Sequence, residues 1–141
     1  EAKALYPDTA NTSAFVTAVY ANVLGRIPDQ EGFDFWTTNL NNGAMQPATF
    51  VLSIIGGAQG ADITYLSNKA DLGVYFSAIK GMSNVADSQN VLNIFGDQST
   101  SNTAGAKASV DGHFTDATAS GSGEFIFQLV GIVNDPFAGV I

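Results

Sequence analysis

His113 stands close to Asp111 and Asp116 in a chain rich in serine, and serine, histidine and aspartate are the parts of a nucleophilic hydrolase. Residue types alone do not make that chemistry. No nucleophile elbow, phosphate-binding loop, His-Glu-x-x-His or Gly-x-Gly-x-x-Gly accompanies the histidine, so no enzymatic activity is expected. One histidine and no cysteine fall short of the roughly three or four ligands of a zinc site, and thiolate nucleophiles and disulfides are excluded. Asp29, Glu31 and Asp34 are near enough in sequence to bind a hard cation such as calcium together with turn carbonyls. The spacing of a calcium-binding loop is absent, however, so helix capping is their expected job and no cofactor is expected. Gly56-Gly57-Ala58-Gln59-Gly60-Ala61-Asp62 reads as a plain loop, because neither a calcium-binding repeat nor a nearby cation for phosphate goes with it.

With catalysis set aside, composition narrows the classes that remain. The 141 residues are 45% hydrophobic, enough for a substantial core in one domain. Only 13% are charged, against a usual figure of about 25%, so much of the surface is neutral and polar. A formal net charge of -8, from 13 acidic and 5 basic residues, argues against nucleic acid or anionic lipid as a partner. No apolar run reaches the roughly 18 residues of a membrane span, so a membrane-spanning chain is not expected. Acidity, few basic residues and many small polar ones suit a protein secreted by a bacterium. The chain starts at Glu1, which points to a processed product or a piece of something longer.

The elements read as helices for most of the length. Phe15, Val16, Val19, Tyr20, Val23 and Leu24 recur at helical spacing behind a cap at Asn11, Thr12 or Ser13, and Gly25 stops the run. Pro28 at a first-turn position, with Asp29 and Glu31 at the positive helix end, starts a second helix. It runs to about Leu40, buries Phe33, Trp36 and Leu40, and stops at Asn41-Asn42-Gly43. Pro47 opens a short apolar helix over residues 48–55, broken by Gly56 and Gly57. Residues 62–79 read as the longest helix, with Ile63, Leu66, Ala70, Val74 and Tyr75 on one side and Gly73 admitting a neighbouring backbone. Residues 85–95 follow between Gly81 and Gly96, with Val85, Val91, Leu92 and Phe95 inward, and a weaker helix through Ala108, Val110 and Phe114 takes its cap from residues 99–103.

The last stretch breaks the pattern. Ala119-Ser120-Gly121-Ser122-Gly123 reads as a flexible joint, and residues 124–133 beyond it are apolar at nearly every position, rich in aromatic and β-branched types. A buried strand is the preferred reading, with a helix as the alternative. A lone strand in a helical domain needs pairing partners for its backbone, which points to another chain. The expected fold is therefore mainly α, a small orthogonal bundle of five or six helices over residues 1–118, followed by a C-terminal interaction tail, residues 119–141. Phe125, Ile126, Phe127, Leu129, Val130, Ile132 and Val133 are its expected assembly interface.

One stretch carries more than composition. Phe15-Val16-Thr17-Ala18-Val19-Tyr20, then Asn22-Val23-Leu24-Gly25-Arg26-Ile27-Pro28-Asp29-Gln30-Glu31-Gly32-Phe33-Asp34-Phe35-Trp36, holds the one arginine and the one tryptophan. It resembles the signature of the bacterial domain-of-unknown-function family 4214, an aromatic-rich helix, Leu-Gly-Arg, Pro-Asp, Gly and an aromatic. Residues 68–76 resemble the family's second block, and Ala86-Asp87 with Ala106-Lys107-Ala108 a looser continuation, so the likeness runs over about residues 12–112. The same Leu-Gly-Arg-x-Pro-Asp helix pair occurs in phycobilisome linkers. The resemblance implies a helical module on the bacterial cell surface or outside it, similar to parts of S-layer proteins and secreted adhesins, with no catalytic residues.

Read on its own residues, this stretch is a helical hairpin. Leu24, Gly25, Arg26, Pro28, Asp29, Gly32 and Trp36 form a structural motif, with Arg26 expected to satisfy carbonyls at the end of the first helix or a carboxylate such as Asp29, Glu31 or Asp34. Trp36 with Phe33, Phe35 and Tyr20 is read as core, the alternative being a platform for a sugar ring. The expected function is self-assembly into a surface layer or filament through copies of the chain itself, the alternative being a module that anchors a larger secreted protein to cell-surface polysaccharide.

Overall fold

A computed structural model describes residues 11–121 and 123–126. The chain is mainly helical. Six helices appear among the described residues: α1 (Thr12–Val19), α2 (Gln30–Asn41), α3 (Pro47–Gly56), α4 (Ala61–Val74), α5 (Val85–Phe95) and α6 (Thr103–Ser120). α1 and α4 each widen at their C-terminal end into a π-helical turn, Tyr20–Leu24 and Tyr75–Ile79. No strand occurs among the described residues. Residues 127–141, which include Phe127, Leu129, Val130, Ile132 and Val133 of the expected interface, lie outside them.

The described residues divide into two compact units, residues up to Ser67 with Gly96–Ser101, and Asn68–Phe95 with Asn102 onward. In the first, Asn11 caps α1 by accepting from the Ala14 N–H, and the helix turns Phe15, Val16, Val19, Tyr20 and Leu24 inward. α3, with Pro47 in its first turn, supplies Phe50 and Ile54 to the same core. Phe15 meets Phe50 edge to face at 5.6 Å between ring centroids, and Trp36 lies tilted on Phe50 at 5.1 Å. α2 lays Phe33, Trp36 and Leu40, each partly buried, over this cluster and fully buries no residue of its own. Pro28 precedes the cap and is not itself in the first turn; Asp29 is the cap.

In the second unit the buried side chains are Leu72, Phe76, Met82, Val91, Phe95, Ala106 and Val110, with α5 packed along α6. Two expected helix faces are corrected here. On α4 and its π turn the inward positions are Tyr65, Leu72 and Phe76, whereas Ile63 is 54% and Val74 53% exposed. Half-buried Lys69 stands on the same face, completing a spacing of four, three and four that a charged residue disguises in the sequence. Burial pushes the Lys69 ammonium below the ordinary lysine value. Gly73 faces open space, so no neighbouring backbone approaches it. On α5, Val91 and Phe95 are buried while Val85 and Leu92 are exposed, and Met82 just past Gly81 is buried in the same unit.

α6 takes Asn102 as its cap, the side chain accepting from the Gly105 N–H at 2.9 Å, and Gly121 closes it with φ 65°. Ala119 and Ser120 therefore belong to the helix. Past Gly121, the chain at residues 124–126 runs antiparallel to residues 81–83. The Ser83 N–H donates to the Glu124 carbonyl at 3.0 Å and the Ile126 N–H to the Gly81 carbonyl at 2.7 Å.

Candidate functional site

Two groups of residues stand out, one in each unit. The first surrounds the end of α1. A helix terminus leaves carbonyls without intrahelical donors, and here two of them are satisfied from far along the chain. The Gln98 backbone N–H donates to the Gly25 carbonyl at 2.8 Å, and its side-chain amide reaches the Leu24 carbonyl at 3.3 Å. Arg26 is thereby released for another partner. Its Nε and Nη2 donate to the two carboxylate oxygens of Asp62, at 2.8 and 2.9 Å, in the forked geometry that guanidinium and carboxylate share. The Gln98 amide also donates to Asp62 Oδ1 at 2.8 Å.

Of the carboxylates expected to hold Arg26, Asp29 does form a looser ion pair with it, at 3.9 Å, while capping α2 by accepting from the Gly32 N–H at 2.8 Å. The closest partner is Asp62, which is not among those expected. Asp34 accepts from Gln30, and the carbonyl that Arg26 does reach is that of Ile27, at 3.2 Å. Asp62 lies in the first turn of α4, where the helix end favours negative charge. The hydrogen bond from Arg26 is the largest cause holding the Asp62 carboxyl below the usual carboxylate range, burial works against it, and Gln98 adds to it. Arg26 is raised in turn by the same bond.

The remaining motif residues fit around this clamp. Gly25 takes φ 65°, and a Cβ there would run into the Tyr65 ring, whose hydroxyl oxygen lies 2.7 Å from that position. The Tyr65 hydroxyl donates to the Gly96 carbonyl at 3.0 Å. The Arg26 guanidinium lies 5.2 Å from the centre of the Tyr20 ring, and the Tyr20 hydroxyl accepts from the Trp36 indole N–H at 3.0 Å. A Cβ on Gly32 would stand 3.1 Å from both that hydroxyl and the Asp29 cap oxygen, so the glycine makes room for the two. Trp36 is engaged by Phe50, by Phe35 at 4.8 Å and by Tyr20, leaving Phe35 as the well-exposed ring of the group. These contacts brace a hairpin.

The second group lies where residues 124–126 return to their unit. The Phe125 ring meets Phe114 of α6 edge to face at 6.1 Å, and Lys80 Nζ lies 4.8 Å from the centre of the Phe114 ring. Lys80 pairs with Asp111 Oδ1 at 2.8 Å, and the Tyr75 hydroxyl donates to the same oxygen at 2.7 Å. Phe125, expected at an interface, is half-buried against its own chain; Ile126 is 49% exposed.

His113 belongs to this unit without forming a triad. Its Nδ1 is 3.3 Å from Asp87 Oδ1 and its Nε2 3.1 Å from Asn90 Oδ1, which also accepts from Ser109 at 3.2 Å. Asp111 is taken by Tyr75 and Lys80. Among the described residues no three of histidine, aspartate and glutamate gather as they would around a metal ion, and no helix is long and apolar enough to cross a membrane.

Residues 1–58 match the family described as Domain of unknown function (DUF4214). This is the family that the Leu24-Gly25-Arg26 stretch resembles, and the match covers α1, α2 and α3. It ends before Asp62, Tyr65 and Gln98, so the residues that clamp the motif lie outside the matched segment, as do the looser blocks after residue 67. No curated protein and no solved structure matches the chain.

Proposed function

We propose, for a chain whose residues 1–58 match this domain of unknown function, an extracellular structural role: self-assembly into a surface layer or filament through the segment that starts at Glu124. One observation carries the reading. Past the end of α6, residues 124–126 pair by backbone with residues 81–83 while the Phe125 ring rests on Phe114, and in sequence a half-exposed Ile126 precedes the apolar run of residues 127–133. In an antiparallel pair of this kind, the residue between the two hydrogen bonds presents its own N–H and C=O on the far side. Phe125 is that residue, so the segment offers a further edge to an incoming strand. The sparse charge of the surface supports the same reading, and so does the bacterial exterior that the family resemblance implies.

Ending the chain after Gly121 keeps the cap of α6 and removes the segment. The truncated protein is expected to stay helical by circular dichroism and to remain dispersed under electron microscopy at concentrations where the full chain forms fibres or sheets. Assembly of the truncated chain would remove the proposal.

A further inference from the structure

Resting on that assembly reading, we propose where the segment docks: residues 124–126 of one copy take the seat on residues 81–83 and Phe114 of a second copy, exchanging with the contact each chain makes within itself. The seat is complete on one unit. It consists of the Gly81 carbonyl and the Ser83 N–H, which make the two backbone bonds, and the Phe114 ring, which receives Phe125. None of these contacts depends on the donor and acceptor being the same molecule, so exchange keeps every one of them. Among the described residues, two backbone hydrogen bonds and one ring contact hold the segment at home. What returns it is a short connection between Gly121, in the left-handed region, and Gly123, where a Cβ would strike Ala117 and the Phe125 ring. A short connection that must fold back on its own helix is the kind of hinge that favours exchange. Since donor and seat lie on one copy, each copy can give to one neighbour and receive from another, a head-to-tail contact that builds a filament when the rotation between copies does not close into a ring.

The chain has no cysteine, so introduced thiols report unambiguously. Ser83 and Glu124 are exposed and face each other across the bridge; opposed residues of an antiparallel pair stand about 4.5 to 5.5 Å apart at Cα, within disulfide reach. Full chains carrying Ser83→Cys and, separately, Glu124→Cys, one enlarged by a tag, are mixed in equal amounts, assembled under reducing conditions and then oxidised. Exchange gives mixed disulfide dimers in at least five-fold excess over either like dimer. Particles that form while mixed dimers stay at the statistical proportion overturn the exchange and leave assembly standing. No particles from the unaltered chain overturns both. Loss of particles in Ser83→Cys alone, with helical content unchanged, places the contact at the same seat and supports the exchange.

Discussion

At Arg26 and Asp62 a side-chain pair ties the end of the first helix of the hairpin to the first turn of α4. Asp62→Ala removes the acceptor of three hydrogen bonds, two from the Arg26 guanidinium and one from the Gln98 amide, and a drop of about 1 to 3 kcal/mol in unfolding free energy is expected from denaturant titration. The pH dependence has a definite sign. The folded-state pKa of Asp62 is depressed, so the stabilisation is complete above the unfolded carboxylate value and is lost as pH falls through the folded one. Unfolding free energy should therefore fall in acid, below about pH 4, and Asp62→Asn should remove part of that slope. Asp97 and Asp111 are depressed as well, by the Ser99 and Thr100 hydroxyls and by Lys80, and account for some of the rest. Gly25→Ala costs on the order of 1 to 2 kcal/mol for its left-handed backbone and more for displacing the Tyr65 ring. In a double-mutant cycle, Tyr65→Ala should recover that second part. The sequence marked Arg26 as a clamp but not its partner. An acid in the first turn of a helix already has a local explanation, and a pairing 36 positions away leaves no periodic trace.

Helix ends were the more legible feature, because each is written in local chemistry. Gly25, Gly43, Gly81 and Gly96 all take positive φ at or just after the stops that the sequence assigns them, whereas Gly121, read as part of a flexible joint, is the residue that closes α6. Helix faces were less so. Counting apolar residues put Ile63 and Val74 inside, whereas α4 turns Tyr65, Leu72 and Phe76 inward with Lys69 on the same side. Likewise helical periodicity carries no sign that Met82, outside any helix, is buried while Val85 is exposed. These faces give opposite predictions for two alanine substitutions. Leu72→Ala should cost about 2 to 5 kcal/mol, while Ile63→Ala should stay within about 0.5 kcal/mol of the unaltered chain. Equal losses at the two positions would restore the face read from the sequence.

For the molecule as a whole, the tail shows where sequence reasoning stopped. Its composition said that the backbone needed a partner, but backbone pairing does not depend on side-chain identity, so the partner at residues 81–83 was invisible until the chain was folded. Assembly through that tail has to overcome the mutual repulsion of copies that each carry a net charge of -8. Salt separates the two forces. At about 0.1 M the screening length is roughly 10 Å, so repulsion between copies weakens while apolar and backbone contacts persist. The concentration at which particles appear, followed by light scattering, should fall several-fold between low salt and physiological ionic strength. Calcium offers the sharper comparison. If screening is the cause, calcium chloride and sodium chloride should act alike at matched ionic strength, because among the described residues no three acidic or histidine side chains gather as a cation site. A much stronger response to calcium would instead place a bridging ion between copies, and assembly that weakens with salt would assign the contact to ion pairs.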